Sequence, residues 1–154
     1  AGEVVIEADS DHELSFLQPG TESCRKILIA DDSMYIRQSI IKTLSHEGYD
    51  VLEAVDGLQT LEQLSNESPD LLLLDIEMPN LNGYDVLSIV RTHQEFSALK
   101  IVLLTSRSSE KHKRRARELG AHEYLTKPCP QDVLLKTIKY LLGDEGERTH
   151  QRGR

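Results

Sequence analysis

A chain of 154 residues, 38% hydrophobic and 29% charged, suits one globular domain with a sizeable core and excludes collagenous and disulfide-dense classes. No apolar run exceeds four residues, as at 71–74, so a membrane-spanning helix of about 20 apolar residues is excluded. The net charge of −8 argues against direct nucleic-acid binding, which needs a basic footprint, and no charged start runs into an apolar stretch as a secretory signal does, so the expected location is the cytoplasm.

Residues 1–23 carry Glu3, Glu7, Asp9, Asp11, Glu13 and Glu22 and no Lys or Arg, so 6 of the 8 net negative charges fall there. This composition predicts an acidic lead or linker, partly disordered. The stretches VVIEA and HELSFL leave open a remnant that packs on a neighbouring domain. A start at Ala-Gly reads as a processed chain or a piece of a longer one.

From residue 26 short apolar runs alternate with amphipathic stretches. Strands are predicted at 26–30, 49–54, 70–75, 100–105 and 122–127, the middle ones apolar on both faces. Helices are predicted at 33–47 (Ile36, Ile40, Leu44 inward), 57–66 (Leu58, Leu61, Leu64) and 83–93 (Val86, Leu87, Val90). Two more follow at 109–119 (Ala116, Leu119) and 131–142 (Leu134, Ile138, Leu141). Gly48 and Gly120 stand where helix ends favour a left-handed residue. Five strand–helix pairs imply an α/β parallel sheet with helices on both faces, spanning 24–143, with 144–154 as a polar tail too short for an output domain. Cys24 and Cys129 fall at opposite edges of such a sheet, too far apart for a disulfide.

In open parallel sheets the ligand crevice lies beyond the carboxyl ends of the strands, where the strand order reverses. Asp31 and Asp32, Asp75, Thr105 and Lys127 all fall at such ends. Taken singly, each has an ordinary reading: Asp31, Asp32 and Ser33 as caps of the first helix, Thr105 and Ser106 as caps of the fourth, Lys127 as a solvated lysine. Asp75 resists one, because a carboxylate leaving a buried strand beside two others is costly without a cation.

The motifs ILIADDS, LLLLDIEMPNLNGYD, IVLLTS and GAHEYLTKP, in this order and spacing, resemble the receiver domains of two-component response regulators, similar to the chemotaxis-type regulator, over about residues 25–143. The resemblance implies a doubly wound, flavodoxin-like (βα)5 sheet of order 2-1-3-4-5. It makes Asp75 the phosphoacceptor for a histidine kinase or its phosphotransfer domain, Asp31 and Asp32 the acidic pair supporting Mg²⁺, Thr105 the switch hydroxyl, Lys127 the phosphate-binding lysine and Tyr124 the rotating aromatic. It also implies a cis peptide before Pro128, and Glu77 and Arg107 as modulators of phosphoryl lifetime flanking the path of the hydrolytic water.

The chemistry agrees. Mg²⁺ favours hard oxygen ligands and keeps several waters, which suits Asp32, Asp75 and the Glu77 backbone carbonyl, with Asp31 acting through water. Phosphoryl transfer needs positioning and charge neutralisation, which a cation and Lys127 supply. Asn82 and Gly83 are expected to form a tight, left-handed bend. Helix 4, with Lys111, His112, Lys113, Arg114, Arg115 and Arg117, is expected to form with strand 5 and helix 5 a remodelled surface for an acidic partner or a second receiver. Two other readings are weaker. A haloacid-dehalogenase-like aspartyl phosphatase would use Glu77 as its second acid. A flavodoxin-like nucleotide or flavin binder is disfavoured by the two carboxylates in ADDSMY, which repel phosphate. Two settings remain within the receiver reading, a free-standing regulator and, favoured, the carboxy-terminal receiver of a hybrid histidine kinase.

Overall fold

A computed structural model describes residues 24–106 and 109–144; the acidic lead, Arg107 and residues 145–154 lie outside the described residues. The strands are β1 (Lys26–Ala30), β2 (Asp50–Ala54), β3 (Leu71–Asp75), β4 (Lys100–Thr105) and β5 (Glu123–Thr126). The helices are α1 (Met34–His46), α2 (Gly57–Glu67), α3 (Gly83–Arg91), α4 (Glu110–Glu118) and α5 (Gln131–Leu142), with a 3-10 turn at Gln94–Phe96 after α3. The strands are all parallel, in the order β2-β1-β3-β4-β5, as expected.

The period-2 alternation of strand side chains sorts the core into two halves. Leu28, Leu72, Leu74, Ile101 and Leu103 point to one face, where they meet Leu64 of α2, Val86, Leu87 and Val90 of α3, and Ala116 of α4. Ile27, Ile29, Leu71, Leu73, Val102 and Leu104 point to the other and meet Ile40 and Leu44 of α1 and Leu134, Ile138 and Leu142 of α5. Leu71, Leu72, Leu73 and Leu74 are all fully buried, each burial contributing about 1.5–3 kcal/mol. The sheet therefore needs helices on both sides, and the chain provides them by winding outward through α1 and back across β1 through α2. This reversal leaves a crevice at the carboxyl ends of β1 and β3.

Capping explains the helix starts. Ser33, Asp56, Asn82 and Ser109 each accept a hydrogen bond from the backbone N–H three residues on. Gly48 (φ 94°) and Gly120 (φ 103°) adopt the left-handed conformation expected after α1 and α4. Three local expectations are corrected. Leu58 is 57% exposed: Gly57 packs against Leu81, turning α2 so that Gly57, Thr60 and Leu64 face inward. On α5 the inward stripe ends in Leu142, with Leu141 only partly buried. The fourth helix is capped by Ser109, not by Thr105 or Ser106.

The Cys24 thiol approaches the Gly48 carbonyl, the Cys129 thiol the Pro130 carbonyl, and both cysteines are free. At the end of α3, Arg91 donates from Nε to the Gly120 carbonyl (3.2 Å) and from its two terminal nitrogens to those of Phe96 (3.1 Å) and Leu99 (3.0 Å). Arg115 of α4 lies 4.3 Å from the centroid of the Tyr84 ring of α3, a cation–π contact. Among the described residues no helix is long and apolar enough to cross a membrane.

Candidate functional site

Asp75 ends β3 inside the crevice and is 4% exposed. The loop that follows doubles back tightly: Gly83 N–H donates to the Ile76 carbonyl at 2.7 Å. A Cβ on Gly83 would lie 2.5 Å from the Asp75 carbonyl oxygen and 2.7 Å from the Ile76 Cα, so only glycine fits. Its φ is not positive; the left-handed residue of this loop is Asn80 (φ 70°). This corrects the expected bend at Asn82 and Gly83. Asn82 is extended and caps α3, and Gly83 is needed for clearance rather than for handedness.

Asp31, just past β1, is fully buried. Its Oδ1 accepts from the Ser33 N–H at 2.9 Å, and its own N–H donates to the Ala54 carbonyl at 3.1 Å. Lys127 Nζ lies 2.7 Å from Asp31 Oδ2 and 3.2 Å from Asp75 Oδ1. Asp32 is exposed, yet Asp31, Asp32 and Asp75 each present a carboxylate oxygen within 4.8 Å of the others. Three carboxylates thus converge, and one ammonium bridges two of them.

The electrostatic consequence appears in Asp75. Burial, with Asp31 beside it, raises its carboxyl to about 6, against the weaker downward pull of Lys127 and the Glu77 N–H. Burial works against the Lys127 ammonium, but its contacts with Asp31 and Asp75 outweigh that and hold it above the ordinary lysine value. The donor set is hard oxygen with excess negative charge, partly desolvated, and it fits Mg²⁺. Asp31, expected to work through water, also has a direct ion pair with Lys127 that the sequence did not reveal.

Thr105 is fully buried at the end of β4, and its carbonyl accepts from the Lys127 N–H at 2.7 Å. The Lys127–Pro128 peptide is cis. Tyr124, opposite Leu103 on β5, packs half-buried against the face covered by α2–α4. The Glu77 N–H reaches Asp75 Oδ1 at 3.3 Å. The sequence reading missed Arg37, 8% exposed, which donates from Nη1 to the Asp31 carbonyl at 3.0 Å and from Nε to Glu53 Oε1 at 2.8 Å. Its signal was present: Arg37 falls i−3 and i−7 from Ile40 and Leu44, on the inward stripe.

The family model for the response regulator receiver domain matches residues 27–139. The chain belongs to the response regulator receiver family. The receiver is 32% identical to protein PilG of Pseudomonas aeruginosa over 114 residues, 74% of this chain and 84% of that protein. It is 38% identical to the sensor histidine kinase CheAY of Helicobacter pylori over 125 residues, 80% of this chain and 16% of the kinase. The structure of the chemotaxis response regulator CheY4 of Vibrio cholerae resembles this receiver with a TM-score of 0.74 at 32% identity, covering 77% of this chain and 99% of that one. The chain thus carries a receiver domain of two-component signalling, and nothing in these matches supports the aspartyl phosphatase or the flavodoxin-like binder.

Proposed function

We propose that Asp75 accepts a phosphoryl group from a histidine kinase or its phosphotransfer domain. The observation that carries this reading is the shared ammonium: Lys127 Nζ reaches both Asp75 (3.2 Å) and Asp31 (2.7 Å) at the crevice. An Asp75 carboxylate oxygen attacks phosphorus, the P–N bond to the donor histidine breaks, and the imidazole leaves with its electron pair and takes up a proton, giving an acyl phosphate. Lys127 neutralises a phosphoryl oxygen, and Thr105 moves toward the new group. Asp31, Asp32, Asp75 and the Glu77 carbonyl would hold Mg²⁺, whose contribution is to offset charge on the transferred oxygens. Acetyl phosphate with Mg²⁺ should raise the intact mass by one phosphoryl group, and Asp75→Asn should abolish the gain; uptake persisting in that variant rejects Asp75 as acceptor.

Docking of the donor fits the wall beside Lys127, where Tyr35, 83% exposed, adjoins a groove lined by Ile36, Ile40, Pro128 and Leu134. Output through α4, β5 and α5 follows from Thr105 and Tyr124, because phosphate drawing the Thr105 hydroxyl inward leaves room for the Tyr124 ring, and the basic α4 suits an acidic partner or a second receiver. Beryllofluoride should therefore shift amides of α4 and Tyr124; shifts confined to the Asp75 pocket reject the switch. Glu77 and Arg107 lengthen the phosphoryl lifetime by obstructing water. Unchanged dephosphorylation in both alanine variants rejects that role.

Residues 24–143 serve as the receiver unit, and the likeness to CheAY favours a hybrid-kinase setting in the cytoplasm. The gene's complete reading frame tests the setting, and cell fractionation tests the location.

A further inference from the structure

The loop that carries Asp31 and Asp32 rests on the tip of β2. The Asp31 N–H donates to the Ala54 carbonyl (3.1 Å), and Arg37 spans the gap from Glu53 on β2 to the carbonyl of Asp31. Asp32 is the exposed member of the carboxylate trio, and its side chain makes no hydrogen bond among the described residues. What aims Asp32 is therefore its backbone. The Asp31–Asp32 peptide is planar, so fixing its carbonyl fixes the Asp32 N–Cα bond and the point from which the Asp32 side chain departs, leaving only rotation about N–Cα. Arg37 does this from a buried position, with a planar guanidinium that reaches two acceptors at once, which lysine cannot do in the same geometry.

We infer that Arg37, braced by Glu53, is a positioning residue that sets the Mg²⁺ affinity of the receiver by orienting the Asp31–Asp32 peptide. This rests on the metal reading above and adds to it a residue outside the ligand set. Partners that orient metal ligands affect affinity without touching the metal. Glu53, with 44% of its side chain exposed, rehydrates readily when unpaired, so the link that matters is the one from Arg37 to the buried Asp31 carbonyl.

The test is Mg²⁺ titration by calorimetry of the full chain, paired with urea denaturation in EDTA. Arg37→Lys and Arg37→Met should bind Mg²⁺ about 10-fold more weakly than wild type, and Arg37→Lys should keep the wild-type amide spectrum in EDTA. Glu53→Ala should weaken binding less, and adding it to Arg37→Met should cause no further loss, because the two act as one unit. Wild-type affinity in Arg37→Lys, or an EDTA stability loss with unchanged affinity, overturns the inference and leaves the metal site standing. Additive losses in the double variant overturn the bracing by Glu53. A wild-type chain that binds no Mg²⁺ overturns the metal reading and this inference together.

Discussion

Lys127 lies closer to the carboxylate of Asp31 (2.7 Å) than to that of Asp75 (3.2 Å). The lysine beside the proposed phosphoacceptor is thus held chiefly by a neighbour. Asp31 is anchored on its other oxygen by the Ser33 N–H, so the ammonium is positioned before any phosphoryl group arrives.

Replacing that ammonium exposes the repulsion it hides. Lys127→Met should destabilise the metal-free chain by about 3 kcal/mol, the usual scale for removing one partner of a buried pair. Mg²⁺ restores positive charge to the same carboxylates. Its addition should therefore raise the melting temperature of Lys127→Met more than that of wild type; equal shifts count against the shared-ammonium account.

Removing one of the crowded carboxylates should do the reverse. In EDTA at neutral pH, Asp75→Asn should be more stable than wild type by about 1–2 kcal/mol, read from urea midpoints, because burial and Asp31 disfavour the Asp75 carboxylate in the fold. It should also lose most of the stabilisation that Mg²⁺ gives. A less stable Asp75→Asn contradicts the electrostatic picture of the crevice.

Gly83→Ala tests clearance rather than charge. The new methyl meets backbone atoms of Asp75 and Ile76, which cannot rotate away as a side chain would. We expect a loss of about 1–3 kcal/mol and impaired phosphorylation, since the strain falls on the carbonyl of Asp75, the proposed acceptor. Near-wild-type stability and acetyl phosphate uptake would falsify the close approach.

His122 gives a pH dependence remote from the crevice. Its Nδ1 accepts from the Ile101 N–H at 3.0 Å; although the residue is exposed overall, partial desolvation of the ring, together with the charges of Arg91 and Lys100, lowers its pKa below the ordinary 6.5. The folded chain thus favours the neutral ring. Its contribution is complete above 6.5 and is lost as the pH falls below that value, because the unfolded ring takes up its proton first. His122→Asn keeps an acceptor for Ile101 without titrating. Its urea midpoint should vary less than that of wild type between about pH 5 and 6.5; parallel curves contradict the assignment.

The sheet was legible because its signals are local and additive. Four leucines ending in Asp75 read both as a strand buried on two faces and as a carboxylate out of place. Asp31, Asp32, Thr105 and Lys127 were legible through the general rule that strand ends line the crevice. What escaped depended on how elements roll and touch. Arg37 escaped although it falls on the inward stripe with Ile40 and Leu44, because a charged residue there gives no sign of the buried acceptors it will meet. Leu58 read as core because the Gly57–Leu81 contact that turns α2 is made across 24 residues of sequence. Gly83 was singled out for the wrong reason, since a glycine chosen for clearance looks the same in sequence as one chosen for handedness.

The three carbonyl bonds of Arg91 and the stacking of Arg115 on Tyr84 have a mechanical consequence. The Arg91 bonds tie the far end of α4, at Gly120, to α3 and the entry of β4, while Arg115 ties the middle of α4 to the first turn of α3. Under the proposed switch, a pull arriving through Thr105 would act on a rod fastened at its distal end and along its length. The first turn of α4 would then move most, with a lever arm no longer than the stretch from Glu110 to the Arg115 contact.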